Sequence, residues 1–352
     1  MEQFYLEEGF PFHSRKLEQM KNFLKEFDLT YDSQIQYSVF LKTASGELAG
    51  CGSRHENTLK CIAINPSFQG EGCLQLIMTQ LVKNAFEQGI SHLFLFTKPI
   101  YQQMFSDMGF YAITETEDML LMENRKNGIQ QYLQEEARNL PDCECNSIGS
   151  IVMNANPFTY GHQYLVEAAA KSCDYLHVFV LSTDSSEFPS DVRLELVKQG
   201  CTHLPNVFVH GSSDYLISHA TFPDYFLKDK ATATEKAAVL DLQIFGTYFK
   251  KTFHITHRFV GEEPFSMITR AYNEQMKKIL PSFDIKVMEV PRCKKEDTVI
   301  SATFVRQKFL EGEYSLLKKF VPASTYNYLV SPAGKELRNS LVSKKATSGV
   351  SL

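Results

Sequence analysis

Strands and helices alternate along residues 147–290, and this alternation constrains the fold more than any other feature of the sequence. The apolar segments typical of strands cover 147–153, 175–181, 207–210, 258–260 and 285–290, and segments with helical spacing cover 161–171, 192–200, 236–249 and 267–279. Such alternation predicts a parallel sheet with helices on both faces. In an open sheet of this kind, ligands bind at the carboxyl ends of the strands.

Residues 35–110 show a different pattern, which predicts a separate α/β unit. Three β-like runs precede an amphipathic helix, a buried strand and a short helix; these segments cover 35–41, 47–51, 58–64, 74–86, 91–96 and 101–108. A polar stretch follows and ends in a loop near residue 146. We therefore predict a first domain over 1–125, a linker over 126–146, a second domain over 147–330 and a flexible tail over 331–352.

Charge and hydropathy exclude several classes of function. The chain has 36 basic and 41 acidic residues, a net charge of −5, which disfavours a general nucleic-acid binder. No apolar run approaches the roughly 18–20 residues that cross a bilayer, and the acidic N-terminus lacks a secretion pattern. We predict a cytoplasmic protein that binds neither nucleic acid nor a membrane. Because there is no C-x-x-C pair, and His254 and His257 lack a third ligand nearby, we predict no metal held by the protein's own side chains.

The segment 151–162 carries the strongest chemical signal. An apolar strand runs into a polar turn that contains proline, and Thr159-Tyr160-Gly161-His162 then opens a helix. The first turn of a helix offers unpaired N–H groups and a positive dipole to an anion. Gly161 lets a phosphate approach the backbone, while Thr159 and His162 can donate hydrogen bonds to its oxygens. The simpler alternative is that Thr159 only caps the helix and His162 lies on its surface.

A second segment, 300–306, also follows a predicted strand and opens a helix. Ser301 and Thr303 supply hydroxyl groups that can cap this helix and bind an anion. Arg306 adds a permanent positive charge. A capping motif with a surface arginine is again the simpler alternative.

Together the two segments resemble the nucleotidyltransferase superfamily that has an H/T-x-G-H motif and a later I-S-S-T-x-x-R-like motif. The resemblance implies attack on the α-phosphate of a nucleotide, with pyrophosphate leaving. It makes Thr159, His162 and Arg306 the catalytic residues, with the 300–306 segment holding the phosphates. Two positions depart from the commonest pattern: Thr159 replaces a His, and Ala302 replaces a Ser.

A narrower resemblance is to the citrate lyase ligase family. It rests on four stretches in order: N-A-N-P-F-T-Y-G-H at 154–162, A-T-F-P-D-Y-F-L-K at 220–228, V-G-E-E-P-F-S at 260–266 and I-S-A-T-F-V-R at 300–306. The resemblance implies a GNAT-like acetyltransferase fold followed by a Rossmann-like nucleotidyltransferase domain. It also implies that ATP, with its Mg²⁺, and acetate form acetyl-adenylate. The acetyl group then passes to a thiol on the dephospho-coenzyme-A-type prosthetic group of the citrate lyase acyl carrier subunit.

The same resemblance implies a set of nucleotide contacts. These are Asn156, Pro157, Phe158, Gly161, Gly261, Glu262, Glu263, Ser301 and Thr303. Lys228 and Arg193 are candidate contacts to a phosphate or to acetate. For the glutamates the alternative is a polar loop, for Lys228 a solvated side chain, and for Arg193 an ordinary residue at a helix start.

Residues 45–110 resemble the GNAT acetyltransferase fold. The loop Q-G-E-G-C-L at 69–74 lies where that family binds the pyrophosphate of coenzyme A through backbone N–H groups. The resemblance implies that Gln69, Gly70 and Gly72 bind a coenzyme-A-type arm. Leu74 stands where the family has Gly or Ala, so that a bulky side chain there could crowd the pyrophosphate. The alternative is a degenerate domain used for packing or subunit docking.

Two other functions remain open from the sequence. One is an adenylyltransferase that joins a nucleotide to a phosphorylated small molecule such as a pantetheine phosphate. The other is a non-catalytic accessory module that binds coenzyme A or a nucleotide. Acetate-dependent exchange between ATP and pyrophosphate separates these functions from the ligase, because only the ligase requires acetate.

Overall fold

The computed structural model describes residues 3–138, 140, 145–181, 186–211, 214–216, 230–263, 266–292, 294–295 and 298–348. The chain divides into two compact units. One comprises Met1–Tyr132 and Phe222–Leu240, and the other Leu133–Thr221 and Asp241–Leu352.

The first unit contains a seven-stranded mixed sheet. Its strands are β1 (Phe4–Gly9), β2 (Tyr37–Thr43), β3 (Leu48–His55), β4 (Thr58–Ile64), β5 (Phe94–Thr97), β6 (Tyr111–Glu115) and β7 (Leu120–Glu123), in the order β1-β2-β3-β4-β5-β7-β6. The helices are α1 (Ser14–Glu26), α2 (Cys73–Glu87) and α3 (Gln102–Ser106). Only β4 and β5 pair in parallel, and they do so at Thr58 and Leu59 alone. The two strands therefore part towards their carboxyl ends.

Strand β2 shows why this unit needs helices on both faces of its sheet. Val39 and Leu41 pack in one apolar cluster with α2, whereas Phe40 packs in another with Met20 and Leu24 of α1. Because successive side chains of a strand point to opposite faces, a strand buried on both sides reads as a continuous apolar run.

The second unit contains a five-stranded sheet in which every pair is parallel. Its strands are β8 (Ile148–Met153), β9 (Tyr175–Val180), β10 (Val207–His210), β11 (His257–Gly261) and β12 (Lys286–Val290), in the order β10-β9-β8-β11-β12. The helices of this unit are α5 (Tyr160–Ala170), α6 (Ser190–Gly200), α8 (Lys250–Phe253) and α9 (Met267–Ile279). Helix α7 (Lys230–Ile244) belongs to the first unit up to Leu240 and to the second from Asp241, and a π-helical turn (Phe245–Phe249) joins it to α8. The predicted α/β class and the predicted parallel sheet are confirmed.

The strand order reverses beside β8, which lies between β9 and β11. The connections after β8 and β11 leave in opposite directions there, so a crevice opens at the carboxyl edge of the sheet. A short antiparallel ladder, β13 (Lys294–Lys295) with β14 (Thr298–Val299), follows β12.

Two segments differ from the sequence expectation. The predicted linker contains helix α4 (Gly128–Ala137), in which Ile129 and Leu133 are buried. The chain after β14 forms helices α10 (Ala302–Glu311), α11 (Tyr314–Leu317), α12 (Ala323–Val330) and α13 (Pro332–Ser348). Helix α13 therefore occupies the described part of the segment predicted as a flexible tail, 331–352. In α13, Leu337 and Leu341 pack on the apolar cluster of α10 and α12, and Arg338 donates hydrogen bonds to two carbonyls near the end of α10.

Candidate active site

The candidate site lies at the carboxyl edge of the parallel sheet in the second unit. The segment 154–162 follows β8, Glu187 follows β9, Glu262 and Glu263 follow β11, and Arg292 follows β12. Since all these strands run in parallel, the residues that follow them meet at one edge. The topology of the sheet therefore brings together residues that are more than 100 positions apart in the sequence.

Thr159 and His162 form a capping box at the start of α5. The Thr159 backbone N–H donates to His162 Nδ1 over 3.1 Å, and the Thr159 hydroxyl lies 3.0 Å from the same nitrogen. In return the His162 N–H donates to Thr159 Oγ1 over 3.4 Å. Because Nδ1 accepts a backbone proton, the neutral ring carries its own proton on Nε2. Thr159 is only 2% exposed and so positions His162.

His162 is held in its neutral form at physiological pH. Burial lowers its pKa to about 4, and the positive charges of Arg292 and Arg306 act in the same direction. Both arginines therefore lie close enough to the imidazole to disfavour a third positive charge. A neutral imidazole with its proton on Nε2 is a hydrogen-bond donor that adds no charge of its own.

We expect His162 to titrate far below an ordinary histidine. Its ¹⁵N imidazole signals should report the Nε2–H form at pH 7, with protonation only near pH 4. Since an unfolded histidine binds its proton near pH 6.5, the stability that neutral His162 contributes is present above about pH 6.5 and is lost as pH falls towards 4. A His162 titration near pH 6.5 would contradict the expectation.

The Phe158 ring lies beside the imidazole of His162. Its side chain is fully buried, and its ring lies nearly parallel to the imidazole with 5.9 Å between the centroids. A Cβ on Gly200 would lie 2.4 Å from the Phe158 ring, so only glycine leaves room for this ring. The Phe158 carbonyl accepts a hydrogen bond from Thr325. Phe158 is therefore a core residue, and its predicted contact with nucleotide is not supported by this placement.

Arg306 is held in place by Glu187 and Asn156. Its Nε donates to Glu187 Oε1 over 3.0 Å, and its Nη1 donates to the Asn156 carbonyl over 2.7 Å. The second carboxylate oxygen of Glu187 accepts from Asn156 Nδ2 over 2.6 Å. Glu187 thus joins the turn after β8 to helix α10. Asn156 and the next residue, Pro157, are buried in this turn.

The amino ends of α5 and α10 lie side by side. A Cβ on Gly161 would stand 3.4 Å from the carbonyl oxygen of Ile300, the residue before the cap of α10. Ser301 occupies the cap position but makes no side-chain cap hydrogen bond, contrary to the prediction. The Thr303 hydroxyl accepts a hydrogen bond from Arg306 Nη2 over 3.2 Å. Two helix amino ends and one arginine therefore share a small region, which is a suitable environment for a polyphosphate.

Arg292 is a site residue that sequence reasoning missed. Its guanidinium pairs with the carboxylate of Glu263, and its Nε donates to the Glu262 carbonyl over 2.8 Å. Glu263 also accepts from the Ser266 N–H, at the start of α9. The side chain of Glu262 is exposed, and a Cβ on Gly261 would meet open space. The chain after β11 thus combines an anchored carboxylate with a backbone that a ligand can approach.

The guanidinium of Arg193 is engaged by backbone carbonyls. Its side chain is fully buried, and it donates hydrogen bonds to the carbonyls of Phe188, Asn154 and Leu181. These bonds tie the ends of β8 and β9 to α6, so the prediction of a phosphate contact is replaced by a structural role. Lys228, together with the stretch 220–228, lies outside the described residues.

The predicted arm-binding loop of the first unit has an open backbone. Gly70 and Gly72 have φ angles of +86° and +78°, and a Cβ at either position would meet nothing within 4 Å. Gln69 is exposed, and Gly72 stands directly before α2. Leu74 points into the core beneath α2, so it leaves the outer face of the loop clear.

Among the residues that the structure describes, no group of three or more His, Cys, Asp or Glu side chains could hold a metal ion. Within that same part of the chain, every helix is too short or too polar to cross a bilayer.

This chain is similar to a known protein family and to a curated relative. A family described as the citrate lyase ligase C-terminal domain matches residues 148–329. A citrate (pro-3S)-lyase ligase from Haemophilus influenzae is 40% identical over 323 residues, which cover 90% of this chain and 95% of that protein.

Solved structures match parts of the chain. An acyl-CoA N-acyltransferase from Pseudomonas aeruginosa covers 36% of this chain and 100% of its own, at 13% identity and a TM-score of 0.30. A bifunctional NMN adenylyltransferase/ADP ribose pyrophosphatase from Francisella tularensis, complexed with AMP and a manganese ion, covers 57% of this chain and 53% of its own. For that protein the identity is 14% and the TM-score 0.36.

Proposed function

Because this chain belongs to the citrate lyase ligase family, we propose that it activates acetate with ATP and transfers the acetyl group to a thiol on the acyl carrier subunit of citrate lyase. The carboxylate oxygen attacks the α-phosphorus, and the bond from that phosphorus to the bridging oxygen of pyrophosphate breaks. The thiolate then attacks the carbonyl carbon of acetyl-adenylate, and AMP leaves. The observation that carries the proposal is the imidazole of His162, fixed by Thr159 at the amino end of α5 beside that of α10, with Arg292 and Arg306 near enough to lower its pKa.

The site is suited to phosphoryl transfer by electrostatics and positioning. The Nε2–H of His162 is oriented to donate to an oxygen that gains charge as pyrophosphate leaves. Arg306 and Arg292 supply positive charge near the imidazole, and the first N–H groups of α5 and α10 complete the cradle. Mg²⁺ enters with the nucleotide and offsets the charge of its phosphates.

Three contacts of the nucleotide remain part of this proposal. Gly161 is a proposed phosphate contact because it lies in the first turn of α5, where backbone N–H groups are unpaired. Gly261 and the exposed Glu262 follow β11, where the nucleoside would lie against the edge of the sheet. Asn156 serves indirectly, because both its side chain and its carbonyl hold other site residues.

The acceptor arm is assigned to the first unit. The open loop around Gly70 and Gly72 precedes a 15-residue helix, α2, whose amino end suits a pyrophosphate. Dephospho-coenzyme A is an accessible probe for this step, and calorimetry with the full-length protein measures its binding. No binding would favour a packing role for the first unit.

The test of the proposed function is acetate-dependent exchange of labelled pyrophosphate into ATP. We expect exchange with acetate and little or none without an acid, because adenylate formation must precede its reversal. Acetate, propionate, butyrate and citrate form the panel, and a reaction without protein is the control. Exchange that is equally fast without any acid, or that requires a pantetheine phosphate, would contradict the ligase and favour an adenylyltransferase. No exchange with any substrate would favour a binding module.

A further inference from the structure

Arg258 is a buried arginine without hydrogen-bond partners for its Nε and Nη1 atoms among the described residues. It lies on β11, three residues before the strand ends, and is 3% exposed. A guanidinium remains charged in proteins, and removing it from water without partners is unfavourable. A buried charge with two unused donors therefore requires a physical explanation.

The two other buried arginines of the described chain are satisfied. Arg193 donates to three backbone carbonyls and to Asn154 Oδ1. Arg54 donates twice to Asn84 Oδ1 and once to the Glu56 carbonyl. Arg193 and Arg54 therefore have hydrogen-bond partners for their guanidinium donors, whereas Nε and Nη1 of Arg258 have none among the described residues.

Aromatic rings and one carboxylate surround Arg258. Its guanidinium carbon lies 4.4 Å from the centroid of the Phe245 ring, at the start of the π-helical turn. π-helical turns are rare and often occur at functional sites. The nearby carboxylate of Asp241 accepts a hydrogen bond from the Tyr272 hydroxyl, so it is already engaged. Asp241 gives long-range charge balance, while the Nε and Nη1 donors of Arg258 remain unused.

The position of Arg258 connects it to the candidate active site. Phe259, the next residue, packs in the cluster of α5 and α6, so Arg258 lies on the opposite face of the sheet, towards Asp241 and α9. Tyr272 is followed on α9 by Asn273, whose side-chain amide donates to the Gly261 carbonyl at the end of β11. Two successive residues of α9 therefore contact the Asp241 carboxylate near Arg258 and the carboxyl edge where the nucleotide is proposed to bind.

We propose that Arg258 binds the carboxylate of the acid substrate. This proposal rests on the proposed function, because the ligand that it assigns to Arg258 is the acid of that reaction. A guanidinium presents a planar pair of donors that match the two oxygens of a carboxylate. The buried setting beside the Phe245 ring makes such an ion pair stronger than it would be in water. Arg258 thereby separates recognition of the acid from recognition of the phosphates by Arg292 and Arg306.

The test compares Arg258→Met and Arg258→Lys with the wild-type chain. In the exchange assay, Arg258→Met should raise the KM for acetate at least tenfold, equivalent to about 1.4 kcal/mol. The KM for ATP should change less than twofold. Arg258→Lys keeps the charge but not the planar pair of donors, so its KM for acetate should rise severalfold. Arg138→Met, which removes an exposed arginine, is the matched control and should leave both constants unchanged.

A binding measurement keeps this proposal separate from the proposed function. Sodium acetate should raise the unfolding temperature of the wild-type protein above that in sodium chloride of equal concentration, and Arg258→Met should abolish this difference. If the wild type shows no exchange but this shift is present and depends on Arg258, the ligase activity is wrong and the carboxylate site stands. If either variant leaves both the KM for acetate and the acetate-dependent rise in unfolding temperature unchanged, the proposal that Arg258 binds the carboxylate is overturned. The unfolding temperature of Arg258→Met in sodium chloride, compared with that of the wild type, separates a loss of stability from a loss of acetate binding, since methionine removes the charge that balances Asp241.

Discussion

Replacing His162 with alanine is expected to lower the rate of acetyl-adenylate formation by about 10²–10³, with a much smaller change in the KM for ATP. The ring is fixed by the Thr159 backbone and hydroxyl and is neutral, so its Nε2–H can be aimed without reorganisation at the moment of reaction. A donor that acts mainly on charge developing in the transition state affects kcat more than substrate binding. Two arginines and two helix ends remain in the variant and still hold the nucleotide.

Pyrophosphate exchange measures the effect on kcat, and nucleotide calorimetry measures binding. His203→Ala is the matched control, because it removes an exposed histidine that pairs with Glu167 on the surface of the same unit. His162→Gln retains a donor at a different reach and should recover part of the lost rate. A loss in ATP affinity as large as the loss in rate would contradict the assignment, because it would make His162 a residue of ground-state binding.

The order of elements in the second unit followed directly from the sequence. Strand β10 and helix α9 occur at the predicted residues, and β8, β9, β11 and β12 lie within a few residues of the predictions. Continuous apolar runs and helical spacing are strong signals in a parallel sheet, because such strands are buried on both faces. Helix α13 was missed because its Ser/Lys-rich composition hides the two leucines, four residues apart, that face the core.

The residues of the candidate site could be predicted only where they belong to a motif. His162 and Arg306 were found because each opens a helix after a strand. Glu187 and Arg292 stand in loops with no distinctive pattern, and they become site residues only because parallel strands bring their ends together. The signal that could have found them is a charged residue soon after a predicted strand, at the edge already assigned to the ligand.

Sequence spacing also gave some residues the wrong role. Phe158 lies inside the motif, but Gly200, more than 40 positions away, provides the space that receives its ring. Arg193 begins a helix near the site, yet the turns after β8 and β9 present carbonyls that take up its donors. Proximity follows from spacing in these cases, whereas the direction of a side chain depends on partners that are distant in sequence.

Replacing Arg306 with methionine is expected to lower kcat/KM for ATP by about 10²–10³, through both a higher KM and a lower kcat. Unlike His162, Arg306 carries a full charge, so it attracts the phosphates in the ground state as well as in the transition state. Arg306→Lys keeps the charge but loses the donors that hold Asn156 and Glu187, and its effect should be intermediate. Lys308→Met is the matched control on the same helix, because its ammonium pairs with Glu311 and Glu313 on the surface and lies over the Phe304 ring.

Glu187 provides the sharpest test of how Arg306 acts. Its carboxylate holds Arg306 with one oxygen and Asn156 with the other, so Glu187→Gln should weaken the position of the guanidinium without removing charge from it. We expect a moderate loss in kcat/KM, roughly tenfold, from Glu187→Gln alone. If Glu187 acts through Arg306, the double variant should be no worse than Arg306→Met, since a positioning residue has nothing left to position. Losses that multiply in the double variant would instead show that Glu187 acts independently, through Asn156 and the turn after β8.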